Sequence, residues 1–312
     1  MKQKLTAAGI LLLLLFLLCY PQEALSASRE GMKLWLNTLL PTLLPFLILT
    51  GFLIHTNGVE KILAPFGRFW KKVFGLSPSG AYAFLLGMLC GYPMGAKITS
   101  DLFRYGKIGK REAEYLLTFS NNASPAFVTT YLAHVCLGGR APLGKIVGIL
   151  LLADGFCMVF FRFAVYRGHT IRDSGTGDIG SSPKKETSVT NSLGALLDVS
   201  IMNGFETITR LGGYILLFSL LSACISHYWF FGPTAKYIVL GGMEITTGLY
   251  QLSEAGLGQE LQFLCSIVMT AFGGACILAQ TKSVLHEKLS ILPYLSAKCL
   301  NALFTAVLVL ML

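Results

Sequence analysis

Apolar stretches of membrane-spanning length recur along this chain, and several are cut by glycine, proline and asparagine. GYPMGAK (Gly91 to Lys97) and SNNASP (Ser120 to Pro125) interrupt the first half. GGMEITTG (Gly241 to Gly248) and AFGGACILAQ (Ala271 to Gln280) interrupt the second. Hydrocarbon offers no water to freed backbone N–H and C=O groups, so a break persists only where protein or a polar cavity receives them. Such breaks therefore predict a lined binding site.

Only 13% of the 312 residues are charged and 54% are hydrophobic, with mean hydropathy +0.63. Soluble domains carry about 25% charged residues. The composition predicts an all-α polytopic membrane protein whose first partner is the lipid bilayer. The formal net charge of +9 follows from basic cytoplasmic loops and does not call for nucleic acid. Eight cysteines are scattered through apolar segments with no CxxC pair, and five histidines are equally dispersed. They read as core and interface residues. No metal, cofactor or catalytic cluster is expected, which argues against an enzyme.

In chain order, residues 1–33 read as an N-terminal transmembrane helix and connector, although Lys2 to Ser28 also has the shape of a signal peptide. Residues 34–167 form a first repeat. It holds a span from Trp35 to Thr56, an amphipathic surface segment from Val59 to Phe74, a hairpin over 81–111 and a broken helix over 112–135. The apolar run Ala81 to Cys90 is too short to span, and basic residues flank the hairpin on both sides. A re-entrant hairpin with its tip at Gly91 to Lys97 fits. Residues 168–192 read as a flexible cytoplasmic linker. Residues 193–312 repeat the order: a long helix, a hairpin over 231–256, a broken helix over 261–281 and a last helix over 291–312. Counting spans from a cytoplasmic N-terminus puts one hairpin inside and the other outside. Interrupted segments at matching positions in opposed halves predict an inverted-repeat transporter fold with two re-entrant hairpins and two discontinuous helices.

Trp35 with LLPTLLPF, then GYPMGAK, then GKREAEYLLTFSNNASPAF, resemble the sporulation integral membrane protein YlbJ (SpoVV) family. That family lies in the nucleoside-recognition or Gate domain group, related to concentrative nucleoside transporters. The resemblance implies a multi-pass protein of the outer forespore membrane. It would move dipicolinic acid from the mother cell toward the forespore. A nucleoside-like solute, or a non-transporting scaffold role in a sporulation complex, stands as the alternative. A coupling proton or cation and homo-oligomerisation both stay open.

A planar dianion needs donors and positive potential, which half-helix N-termini supply. The expected substrate-binding residues of the first half are Gly91, Tyr92, Pro93, Gly95, Lys97, Asn121, Asn122 and Ser124. Those of the second half are Glu244, Thr246, Thr247, Gly273, Gly274 and Gln280. Lys97 is the cation at a tip, or else a side chain reaching the interface. Asn121, Asn122 and Ser124 either bind solute or satisfy broken backbone. Glu244 binds a proton or cation, pairs with Lys97, or caps a half-helix. Glu206 and Arg210 have the i, i+4 spacing of an internal ion pair. Asp154, inside a span, has no reading at this level.

Overall fold

The computed structural model describes residues 2–56, 63–167 and 193–312. The expected linker over 168–192 and the start of the amphipathic segment, 59–62, lie outside the described residues. Among those described, all regular structure is helical. Among the described residues five helices are long and apolar enough to cross a membrane, or six if the bent pair Gly67–Val73 and Pro78–Cys90 counts as one span.

Helix α1 (Lys2–Cys19) is followed by α2 (Pro21–Leu34), which continues through a π-wound turn, Trp35–Leu39, into α3 (Leu40–His55). The expected connector before Trp35 is therefore helical, and one span candidate runs from Pro21 to Ile54. At 34 residues it is about 51 Å long, longer than the hydrocarbon is thick. Its polar start is held by α10 (Leu193–His227) rather than by its own apolar character. Glu23 meets His227 at 2.9 Å, and the Trp35 indole donates to the Ile208 carbonyl at 2.9 Å. Gly212 makes room for that indole: a Cβ there would lie 2.5 Å from the ring. The π turn sits just before Pro41, whose missing N–H breaks regular winding, and Leu40 N–H bonds back to Trp35 O.

The first hairpin follows a short helix α4 (Gly67–Val73). Its arms are α5 (Pro78–Cys90) and α6 (Met94–Arg104). Ser77 caps α5 by accepting from Gly80 N–H at 3.0 Å, while Ser77 N–H donates to Glu112 at 2.7 Å. Glu112 thus ties the hairpin base to α7 (Lys110–Leu117). The chain then breaks and resumes at Pro125 as the π-wound α8 (Phe127–Cys136), before the span α9 (Leu143–Phe160) with its π-wound extension to Val165. Arg162 donates to the Lys72 and Val73 carbonyls at the end of α4.

After α10 come α11 (Pro233–Met243) and α12 (Ile245–Ser253), separated only by Glu244. Next are α13 (Gln259–Phe272) and α14 (Gly274–Val284), separated only by Gly273, and then α15 (Leu292–Met311). Buried apolar side chains form two main clusters. One joins the first hairpin to α3, α10 and the start of α15; the other joins α8, α9, α12 and α13. The breaks lie where these clusters meet.

Candidate functional site

In each half the connection of a helix pair packs against an interruption between the helices that follow. In the first half, Gly91 turns the chain with φ +80°, and Tyr92 N–H donates to Asn122 O at 2.7 Å. Gly87, Gly91 and Gly95 recur every fourth residue, and the SNNASP backbone lies directly over them. A Cβ on Gly95 would fall 2.0 Å from Ser120 O, one on Gly87 2.2 Å from the same oxygen, and one on Gly91 2.7 Å from Ser124 N. Only glycine allows so close an approach. Ser124 then opens α8 as its cap, its Oγ accepting from Phe127 N–H at 3.2 Å with Pro125 in the first turn.

In the second half, Gly241 and Gly248 bring the two arms together: a Cβ on Gly248 would lie 2.1 Å from Gly241 Cα. Gly273 carries φ +87° and Gly274 φ +82°. A Cβ on Gly274 would lie 3.3 Å from the carbonyl oxygens of both Gly241 and Gly242. The start of α14 therefore rests on the carbonyl end of α11.

Two polar connections join the halves at their breaks. Asn121 accepts from Ala96 N–H at the start of α6 (3.3 Å) and donates to Thr281 on α14 (3.1 Å). Lys298, on α15 and only 4% exposed, donates to Asn122 Oδ1 at 2.5 Å and to Ala271 O at 3.2 Å. Its ammonium lies 5.9 Å from the Tyr92 ring centre and 5.7 Å from that of Tyr294. Both tyrosine hydroxyls are buried without a hydrogen-bond partner; that of Tyr294 faces Thr281 and Asn121 without closing a bond to either. One turn along, Asn301 donates to Asp154 of α9, and Thr305 donates to Asn301 at 3.2 Å. Asp154 is the acid that acts electrostatically on Lys298. Tyr294, Lys298, Asn301 and Thr305 fall at i, i+4, i+7 and i+11, a single helical stripe.

The expected site residues thus divide into groups. Gly91, Tyr92, Pro93, Gly95, Asn121, Asn122 and Ser124 form one patch at the first tip. Glu244, Thr246 and Thr247 form a cap at the second: the Glu244 carboxylate accepts from Thr246 N–H (3.1 Å) and Thr247 N–H (2.7 Å). Thr246 O accepts from Tyr131 of α8 at 2.6 Å. Gly273 and Gly274 form the second break. Gln280, buried on α14, donates to Cys276 Sγ at 3.2 Å. Lys97 turns to Asp101 on its own helix, at 2.6 Å. Glu206 and Arg210 do pair, on an exposed helix face.

Lys298, Tyr294, Asn301 and Thr305 were not among the residues picked from sequence. The readable signal was a lone lysine inside a 20-residue apolar span with polar residues on its face. Clefts of about 230 Å³ beside Arg140 and Phe263, and about 740 Å³ beside Glu114 and Pro293, are not lined by Lys298, Asn122 or Tyr92.

Sporulation integral membrane protein YlbJ of Bacillus subtilis (strain 168) is 28% identical to this chain, in an alignment of 344 positions covering 99% of this chain and 82% of the relative. No protein-family profile matches, and no solved structure matches. The candidate spans agree with a multi-pass membrane location. The similarity extends over nearly the whole chain and supports assignment to the YlbJ family of sporulation integral membrane proteins.

Proposed function

We propose that this chain carries a small organic anion across a membrane by alternating access. Its solute in sporulation is dipicolinate, moved from the mother cell through the outer forespore membrane. The observation that carries this reading is the contact of Lys298 with both breaks, Asn122 in the first half and Ala271 in the second. A cation held between two interrupted elements can change partners as those elements move, whereas a scaffold would fill the same breaks with apolar side chains. The repeated order of helix pair, broken helix and span supports reading residues 34–167 and 193–312 as inverted repeats. Under that arrangement the tips at Gly91 and Glu244 enter from opposite faces.

Purified protein reconstituted in vesicles tests the reading, with uptake of dipicolinate compared with that of uridine. Dipicolinate uptake that saturates, with none of uridine, is the expected result. Uridine uptake without dipicolinate uptake would move the protein to the nucleoside-like alternative, and uptake of neither would overturn transport.

A further inference from the structure

We propose that Lys298, Tyr92 and Tyr294 form the carboxylate-binding subsite of this protein, an inference that rests on the anion-transport reading and names its ligand contacts. An ammonium has three N–H donors, and two of those on Lys298 are taken by Asn122 Oδ1 and Ala271 O. The third is left for a ligand. The two ring centres lie 5.9 and 5.7 Å from the ammonium, and both hydroxyls are buried without closing a hydrogen bond. A native fold rarely leaves two such hydroxyls unpaired beside one buried cation. A carboxylate supplies what all three lack: two oxygens that accept from an ammonium and from phenolic O–H groups.

The acids nearby do not fill that role. Asp154 accepts from Asn301, and Glu244 accepts from the Thr246 and Thr247 amides. Among the described residues neither acid hydrogen-bonds to the ammonium or to the two hydroxyls, and the ammonium's charge disfavours a cation as ligand. The two aromatic faces beside it favour a flat, ring-bearing carboxylate. Asn122 shares the ammonium with such a ligand, which couples solute binding to the first break and its tip.

The test uses full-length protein in lipid nanodiscs with two probes, dipicolinate and its neutral analogue pyridine-2,6-dicarboxamide. Binding is read by calorimetry and folding by thermal unfolding. Dipicolinate should bind and the diamide should not. Tyr92→Phe and Tyr294→Phe remove only unpartnered hydroxyls, so they should unfold at or above the wild-type temperature while each weakens dipicolinate about tenfold. Lys298→Gln should abolish binding; if that variant fails to fold, the two phenylalanine variants decide. Wild-type affinity in both phenylalanine variants would overturn the subsite while leaving transport standing. Failure of the wild type to bind dipicolinate would overturn both.

Discussion

Lys97 donates to both carboxylate oxygens of Asp101, at 2.6 and 2.8 Å, from one turn earlier on α6. The pair is largely buried, with side chains 11% and 16% exposed, so each charge depends on the other for compensation. Lys97→Ala strands a carboxylate and should cost about 1–3 kcal/mol. Lys97→Ala/Asp101→Ala should recover most of that loss, in thermal unfolding and in dipicolinate uptake. A double variant that folds yet stays inactive would return Lys97 to the solute site.

The tip-on-break contact of the first half sets a second expectation. A methyl group at Gly95 meets Ser120 O at 2.0 Å and Asn121 Cα at 3.1 Å, and both are backbone atoms that cannot swing aside. Gly95→Ala should therefore destabilise by about 3 kcal/mol or more, in the range of severe overpacking. Gly148→Ala, in α9 with nothing within 4 Å of the new methyl, should be neutral or gain about 0.5–1 kcal/mol. Melting of the two variants side by side in one detergent checks this; equal melting temperatures would show that the break can retreat from the hairpin.

Most of the frame was legible in the residues. Low charge and long apolar runs foretell an all-helical membrane protein, and GYPMGAK, SNNASP and the Gly273–Gly274 pair foretell where helices stop, whereas in GGMEITTG the helix runs through both glycines and stops at Glu244. These are local effects, since glycine and proline act on the backbone at their own positions. Partners distant in sequence were not legible. Pro21 to Ser28 looks like a connector until α10 is laid beside it, and Asp154 makes no sense until Asn301, 147 positions away, reaches it. Lys298 was hidden for another reason: one cation in a 20-residue helix barely moves its hydropathy. The i, i+4 spacing of Lys97 and Asp101 carries their pairing, although the sequence reading gives Lys97 to the tip, to the interface or to Glu244.

Glu244 separates a cap from a titrating carrier group. Both of its carboxylate oxygens are held by backbone N–H groups at the start of α12, the arrangement of an N-cap. Glu244→Gln keeps one acceptor and should cost about 1 kcal/mol, with Glu244→Ala costing more, up to about 2 kcal/mol. The pH dependence of uptake in vesicles should be the same for wild type and Glu244→Gln. A displaced pH profile would mean that Glu244 exchanges a proton during the cycle.

Asp154 and Lys298 make the strongest energetic claim. Asp154 on α9 is held by Asn301, and it supplies the negative charge that offsets the buried Lys298 ammonium one turn away on α15. Asp154→Asn keeps a side-chain oxygen to accept from Asn301 and removes only the charge, leaving an ammonium buried without its counter-ion. That should cost about 1–3 kcal/mol, the scale of two buried charges that act on each other without direct contact. Removing both charges, in Asp154→Asn/Lys298→Gln, should cost less than the sum of the single changes, with a coupling of about 1–3 kcal/mol in a double-mutant cycle. The same cycle measured on dipicolinate binding should show no rescue, because restored stability does not restore the cation. Additive stability losses would show that the two groups do not sense each other, and recovered binding would remove the lysine from the solute site.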